Sequence, residues 1–282
     1  MPQFLVRTAV MRHGISLPNM GPPSRLVDLG AAADAAGWDG VFLWDHMHFI
    51  RAARADVVDP WVVLGGIAVR TSRVRLGTLV TPVPRRRPWK LAKEVTTLDH
   101  LSGGRAVLGV GLGYPPDDEF AAFGEVTDDR VRAARLDEGL VLIDSFLRGE
   151  PTVFHGSEYE VDAELRPAAV QSPRPPIWVA AMWPNRRPIE RASRWDGIVP
   201  MGANGGAATP DVIAKMAGPR RDRDGDGDGD GDGFDVIATA VPDVGLDEWA
   251  DAGATWLLQA IWPQPDWADD MARRIAAGPP TH

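Results

Sequence analysis

The chain has 282 residues, 44% hydrophobic and 24% charged, which suits one globular domain of ordinary composition. A formal net charge of −9 argues against non-specific binding to nucleic acid. Cysteine is absent, which excludes disulfides, thiolate nucleophiles and cysteine-ligated metals. No apolar run reaches membrane-spanning length and the amino terminus lacks a signal-peptide pattern, so we expect a cytoplasmic protein with no membrane partner.

Short apolar runs of strand type alternate along the chain with segments of helical periodicity. The runs predict strands at residues 12–17, 40–44, 74–80, 105–110, 177–181, 196–200, 234–240 and 255–261. A helix is predicted after each strand. The first is capped by Ser24 and ends at Gly37, and the others span residues 59–71, 88–102, 130–147, 188–194, from 209 onward, 246–251 and 266–276. Strands joined by crossover helices lie parallel, and eight such units predict an α/β fold, the closed (β/α)8 TIM barrel.

An open doubly wound sheet is the alternative architecture, and the glycine-rich end of the fourth strand bears on it. Gly109, Gly111 and Gly113 resemble the start of a dinucleotide-binding fingerprint. Tyr114, however, stands where the last glycine is needed, and Pro115 follows where a helix should open. We therefore reject this motif and keep the barrel.

Three segments lie outside the repeat. Residues 1–10 are predicted to be an N-terminal extension, so that a single domain spans residues 11–282. Residues 152–161 predict a small hairpin insertion after the fourth helix. Residues 220–233 alternate Asp with Gly, cannot bury apolar surface, and are predicted to be a flexible surface loop. A calcium loop is the alternative for this run, but Asp235 stands where such a loop carries Glu.

Asp45 and His46 follow the second strand, and parallel barrels collect their active sites at the carboxyl ends of the strands. A histidine can move a proton near neutral pH, and a neighbouring carboxylate can orient its ring or contact a cofactor. A hydrogen-bonded pair that merely closes the strand is the alternative. His48 completes a His-x-His pair, but a catalytic zinc needs three protein ligands and no other strand end supplies a histidine. We therefore predict His46 and Asp45 as catalytic residues, and no metal site.

Other polar and aromatic residues also follow strand ends. Two basic clusters are Asn185-Arg186-Arg187 and Arg85-Arg86-Arg87. The first precedes a predicted helix, where N–H groups and guanidinium groups suit a phosphate. For any single arginine of either cluster, solvated surface charge is the favoured interpretation. Met201 and Trp262 either line a substrate pocket or pack in the core. Asp99 and Arg105 flank a turn at the opposite end of the barrel and are predicted to be structural.

Five phrases of the sequence resemble the bacterial luciferase-like flavin-dependent oxidoreductases. They are AGWDGVFLWDHM, RVRLGTLVTPV, RRPWKLAKEVTTLDHLSGGRAVLGVGLG, PPIWVAA and RWDGIVP, in this order, and the resemblance runs from about Met11 to the carboxyl end. It implies a (β/α)8 barrel that binds reduced FMN, or its deazaflavin analogue coenzyme F-420, at the carboxyl face. FMN members of the family commonly activate dioxygen, whereas deazaflavin members transfer hydride.

The resemblance implies roles for the strand ends. The Asp45-His46 pair is associated with cofactor and catalysis, and the flavin ring is expected against the end of the third strand, where members often carry a non-proline cis peptide that aligns with Leu79–Val80. The predicted cofactor-binding residues are Thr78, Leu79, Val80, Gly111, Gly113, Ala181, Met182, Asn185, Arg186 and Arg187. The predicted substrate pocket consists of Trp183, Met201 and Trp262. The segment after the fifth strand is often glycine-rich in the family and is not so here, so its cofactor contacts are expected to differ.

The main functional hypothesis is therefore a luciferase-like monooxygenase that uses reduced FMN and dioxygen on a small organic substrate. One alternative is a dehydrogenase or reductase that depends on coenzyme F-420. Alternatives from other classes are a non-catalytic flavin-binding barrel and a metal-dependent hydrolase on the same fold. The expected partners are the small-molecule substrate, a flavin reductase that supplies reduced FMN, and a second copy of the chain in a homodimer.

Overall fold

The eight predicted strands are present and close into one parallel barrel in a computed structural model that describes residues 11–203, 205–221 and 233–280. The strands are β1 (Arg12–Leu17), β2 (Gly40–Leu43), β3 (Arg75–Pro82), β4 (Ala106–Gly111), β5 (Thr152–His155), β6 (Glu160–Ala163), β7 (Ile177–Met182), β8 (Gly197–Met201), β9 (Asp235–Thr239) and β10 (Trp256–Ala260). The barrel order is β1-β2-β3-β4-β7-β8-β9-β10, and β10 pairs with β1. The β5–β6 pair is antiparallel and is the predicted hairpin insertion.

A helix follows each barrel strand, as the alternation predicts. The helices are α1 (Pro23–Ala35), α2 (Pro60–Ala68), α3 (Pro88–Ser102), α4 (Pro116–Glu119), α5 (Asp129–Arg148), α6 (Arg186–Ala192), α7 (Pro210–Arg221), α8 (Leu246–Ala252) and α9 (Trp267–Ala276). The short α4 lies in the Pro- and Asp-rich segment after β4.

Prolines and caps decide where two of these helices begin. Ser24 was expected to cap α1, but the helix begins at Pro23, whose fixed φ suits a first helical position, and Pro22 occupies the N-cap. The N-cap at Asp59 is confirmed, since its side chain accepts a hydrogen bond of 3.0 Å from the N–H of Val62.

The interior of the barrel is filled by large side chains. Phe42, Trp178 and Trp256 are each no more than 1% exposed, and their ring centroids lie 5.3 to 5.7 Å apart. Val107, Ile237 and Leu258 pack around them. A ligand therefore has to bind at the mouth of the barrel, above this packed layer.

The amino-terminal end of the barrel is fixed by the residues predicted to be structural. Asp99 is fully buried and accepts hydrogen bonds from the N–H groups of Val170 and Gln171, at 2.8 and 2.9 Å. Arg105 donates to the carbonyl oxygens of Val74 and Thr71, at 2.8 and 2.9 Å. These contacts join α3 and β4 to neighbouring loops, as expected for a stability face.

Two predictions fall outside the described part of the chain. The N-terminal extension, residues 1–10, lies wholly outside it, and so does most of the Asp-Gly run, residues 220–233. In the part of the chain that the structure describes, no helix is both long and apolar enough to cross a bilayer.

Candidate active site

The carboxyl ends of the barrel strands gather the candidate residues around one mouth. Apart from Arg186 and Arg187, which lie in the first turn of α6, the candidates lie in the barrel strands or in the loops that directly follow them. Asp45 and His46 follow β2, Thr78, Leu79 and Val80 lie late in β3, Gly111 ends β4, Met182 and Met201 end β7 and β8, and Trp262 follows β10. The topology thus brings together residues that lie far apart in the sequence.

Asp45 is buried under two arginines. Its Oδ1 accepts from Arg85 Nη2 at 2.9 Å, and its Oδ2 accepts from Arg86 Nη2 at 2.8 Å and from Thr81 Oγ1 at 2.7 Å. The side chains of Arg85 and Arg86 are only 7% and 17% exposed, so the expectation of solvated surface charge is wrong for both. The 3-10 turn Val83–Arg85 after β3 turns the chain back and carries both guanidinium groups to the carboxylate.

The electrostatics of this cluster follow from its pairing. Burial acts to lower the pKa of Arg86, but the charge of Asp45 and its hydrogen bonds outweigh burial and raise that pKa. Both carboxylate oxygens of Asp45 thus accept hydrogen bonds from Arg85, Arg86 and Thr81. The carboxylate in contact with the His46 ring comes from another element.

That carboxylate is Glu119, at the end of α4, which sequence analysis missed. Its side chain is 1% exposed and forms an ion pair with Arg85. It also accepts hydrogen bonds from three consecutive backbone N–H groups, those of Met47 at 3.0 Å, His48 at 3.1 Å and Phe49 at 2.7 Å. Glu119 thus fixes the loop that follows β2 and carries His46.

Glu119 is ionised in this environment. Burial acts to raise its pKa, but contacts with His46 and the N–H of Met47, together with the charges of His46 and Arg85, lower that pKa to about 2. The acidic run that ends at Glu119 is typical of a solvated loop, so the sequence carried no signal that the last carboxylate is buried.

The His46 ring lies between Glu119 and an aromatic wall. Its Nδ1 atom is buried and lies 3.3 Å from Glu119 Oε1, although the two are not aligned as a hydrogen bond. The ring centroid is 5.0 Å from that of Phe49 and 5.9 Å from that of Trp44. The side chain is 21% exposed, so His46 is the titratable group of this cluster that remains accessible at the mouth.

Trp44, Phe49 and Trp262 form that aromatic wall. Their ring centroids lie 5.6 Å apart for Trp44 and Phe49, 5.2 Å for Phe49 and Trp262, and 6.3 Å for Trp44 and Trp262. Trp44 Nε1 donates to Ser16 Oγ at 3.1 Å, which fixes the indole. Trp262 remains 60% exposed, so it lies at the rim and not in the core.

The end of β3 is irregular, as the family resemblance implies. The Leu79–Val80 peptide is cis, and the register between β3 and β4 shifts between Thr78 and Thr81. Thr78 was expected to offer its hydroxyl to a cofactor, but it is fully buried and donates to the carbonyl oxygen of Gly109 at 3.1 Å. Leu79 and Val80 are only partly buried and remain as the apolar surface of this strand end.

Gly111 and Gly113 leave space that the protein itself fills. A Cβ atom on Gly111 would lie 2.8 Å from Val80 Cγ2, and one on Gly113, whose φ is +91°, would lie 2.6 Å from the ring of Phe120. Val80 and Phe120 therefore approach these two glycines closely, and the close approach of a cofactor to them stays a prediction.

The β7 side of the mouth is more open and more basic. Ala181 is buried, whereas Met182 is partly exposed and pairs in register with Met201 of β8. Trp183 is partly buried, and Lys215 Nζ lies 6.0 Å from its ring. Asn185 is the N-cap of α6 but makes no side-chain capping bond.

Arg186 and Arg187 are exposed at the start of α6, which begins before the predicted position at Pro188. Within the described ranges, neither guanidinium group has an ion-pair partner. In the same ranges, no group of three or more His, Asp or Glu side chains is arranged to hold a metal ion.

Comparison with known proteins gives matches over most of the chain. A family model described as luciferase-like monooxygenase matches residues 5–277. An F420-dependent glucose-6-phosphate dehydrogenase of Nakamurella multipartita is 37% identical over 168 residues, which are 57% of this chain and 48% of that protein. The matched part of the chain thus spans about half the length of this curated relative.

Two solved structures share the barrel. An F420-dependent secondary alcohol dehydrogenase, in complex with an F420–acetone adduct, superposes with a TM-score of 0.75 at 17% identity, over 94% of this chain and 98% of that one. A monooxygenase from Streptomyces bottropensis superposes with a TM-score of 0.68 at 26% identity, over 95% of this chain and 79% of that one. Since the family model covers nearly the whole sequence, the chain belongs to the luciferase-like monooxygenase family.

Proposed function

We propose that this protein is an oxidoreductase that transfers a hydride between a small hydroxyl-bearing substrate and coenzyme F-420. The observation that carries the proposal is the 37% identity to an F420-dependent glucose-6-phosphate dehydrogenase over 168 residues, 57% of this chain. This supports the deazaflavin alternative better than the FMN monooxygenase that was the main expectation from the sequence.

The residues at the mouth fit such a cofactor. Leu79 and Val80 offer a partly exposed apolar surface at the end of β3, which suits a planar ring. Arg186 and Arg187 are exposed and have no ion-pair partner among the described residues, which suits an acidic side arm. When bound, the coenzyme would supply the hydride acceptor, which the side chains of the chain cannot provide.

His46 would manage the proton. Oxidation of a hydroxyl group removes a hydride from carbon and a proton from oxygen, so it requires a base near the hydroxyl. His46 is the accessible titratable side chain beside the aromatic wall, since Asp45 and Glu119 are enclosed by their arginine partners. Trp44, Phe49 and Trp262 would keep water away from the reacting atoms.

A second candidate function is an FMN-dependent monooxygenase. The observation that favours it is the 26% identity to the Streptomyces bottropensis monooxygenase over 95% of this chain. The same mouth would then bind reduced FMN and protect it from water.

Separate titrations of the purified protein with coenzyme F-420 and with FMN distinguish the two functions. For the main proposal we expect tight binding of coenzyme F-420 and its reduction by at least one member of a panel of alcohols and hydroxy acids. His46→Ala should keep coenzyme affinity within about tenfold, a difference of about 1.4 kcal/mol, while turnover falls by roughly a hundredfold or more. Dioxygen uptake with reduced FMN, and no binding of coenzyme F-420, would favour the monooxygenase instead.

A further inference from the structure

The two ring nitrogens of His46 are not equivalent in this structure. Nδ1 is buried and lies 3.3 Å from Glu119 Oε1, so the 21% of the side chain that is exposed belongs to its other atoms. No other carboxylate in the described part of the chain lies within ion-pair distance of this ring. Asp45, the neighbouring carboxylate, is bound to Arg85, Arg86 and Thr81 instead.

In its ionised form, Glu119 accepts hydrogen bonds and cannot donate one. Its oxygens already accept three backbone N–H groups and face Arg85, so every group around this carboxylate is a donor. A ring nitrogen that carried a lone pair toward these oxygens would be repelled by them. The 3.3 Å separation of Nδ1 from Glu119 Oε1 therefore favours a hydrogen on Nδ1.

We propose that Glu119 is a positioning residue that holds neutral His46 as the Nδ1–H tautomer, which leaves the lone pair on Nε2 to receive the substrate proton. The assignment of the tautomer is independent of the proposed function, and only the source of the proton rests on it. In the proposed reaction Nε2 would receive the proton of the substrate hydroxyl, and a bound coenzyme F-420 would supply the acceptor for the hydride of the adjacent carbon, so charge and atoms would balance. Glu119 takes no proton itself.

The tautomer can be measured without any cofactor. Proton–nitrogen correlation spectra of the full chain labelled with nitrogen-15 report which ring nitrogen of each histidine is protonated, and His46→Ala identifies the signals of His46. At a pH where this ring is neutral, we expect a protonated Nδ1 and an unprotonated Nε2 in the wild type. The reverse assignment in the wild type would overturn the proposal, whether or not any variant folds.

Two glutamate variants separate positioning from general stability. Glu119→Ala, which removes the acceptor oxygens, should abolish the tautomer preference and lower kcat by roughly a hundredfold, with KM little changed, because the base is misplaced and not removed. Glu138→Ala is the matched control, since Glu138 likewise accepts N–H groups of a loop, those of Ser157, Glu158 and Tyr159, at the distant β5–β6 hairpin. It should leave tautomer and turnover unchanged.

The outcomes distinguish this inference from the proposed function. A Glu119→Ala protein that folds and keeps the Nδ1–H tautomer would contradict the inference. A wild type that shows the Nδ1–H tautomer but reduces no coenzyme F-420 with any substrate would support the role of Glu119 and remove the proposed function.

Discussion

Glu119 carries a negative charge inside the fold, and the stability that this charge contributes depends on pH. Its pKa falls from 4.5 to about 2 on folding, so the unfolded chain binds its proton more readily than the folded protein does. The carboxylate therefore stabilises the fold fully at pH values above about 4.5, and this contribution is lost as the pH falls through about 2.

We accordingly expect the free energy of unfolding, measured by urea denaturation, to decline between pH 4.5 and about 2 in the wild type. Glu119→Gln should be less stable near neutral pH and should show a flatter decline over the same range. Glu190→Gln, which removes an exposed carboxylate, controls for the change in net charge. A parallel decline in wild type and Glu119→Gln would show that another group dominates the acid sensitivity.

Trp262 is the residue of the aromatic wall with the most exposed surface, at 60%. Because it contributes little to the core, Trp262→Ala should leave the melting temperature nearly unchanged. For an apolar alcohol substrate of the proposed reaction, we expect KM to rise about tenfold with a smaller change in kcat, since about 1.4 kcal/mol of apolar contact is lost. Val153→Ala, which trims an equally exposed apolar side chain on the β5–β6 hairpin, is the control. An unchanged KM would place Trp262 outside the substrate site.

At the scale of elements, β3 and β4 meet more closely than side chains allow. A Cβ atom on Gly77 would lie 2.0 Å from the carbonyl oxygen of Val107, and one on Gly109 would lie 2.1 Å from that of Thr78. The two glycines therefore let the strands pair tightly, just before the bulge that carries Leu79 and Val80 to the mouth.

Gly77→Ala should lower the free energy of unfolding by about 3 kcal/mol or more, because backbone atoms and not a flexible side chain would have to move. Gly65 of α2 is a matched control, since its added Cβ would meet only Leu101 Cδ1 at 3.9 Å. Gly65→Ala should raise the stability by about 0.5 to 1 kcal/mol through helix propensity. Equal effects of the two substitutions in urea denaturation would contradict this account of the β3–β4 contact.

Elements that depend on local pattern could be predicted from the sequence, and contacts between distant loops could not. The strands agree with the predicted ones to within two residues at each end, because apolar runs bounded by Gly and Pro mark them. The position of His46 followed from its place after β2. The burial of Arg85, Arg86 and Glu119 could not be predicted from the sequence. Each of these side chains is buried against a partner 34 to 41 residues away, and none lies in an apolar pattern.

At the scale of the whole molecule, one buried ion cluster joins the loops that follow β2, β3 and β4. Arg85 is its centre, since it pairs with Asp45 from the first loop and with Glu119 from the third. The site that contains His46 is thus held by contacts across three consecutive barrel units.

Arg85→Met should therefore cost about 3 to 5 kcal/mol of the free energy of unfolding, because two buried carboxylates lose a partner. Arg70→Met is the control: Arg70 pairs with Asp28 at 2.5 Å, but their side chains are 52% and 56% exposed, so this change should cost less than about 1 kcal/mol. Urea denaturation at neutral pH measures both. A similar small loss in the two variants would show that Asp45 and Glu119 find other partners.

The aromatic layer of Phe42, Trp178 and Trp256 also governs the order of events at the mouth. This layer fills the barrel interior, so a ligand that enters at the mouth must also leave there. Whichever of two ligands sits deeper has to arrive first and depart last, and its exit waits for the outer one. Two ligands that share a single opening bind and dissociate one after the other. Product inhibition patterns should then reveal a compulsory order of binding and release.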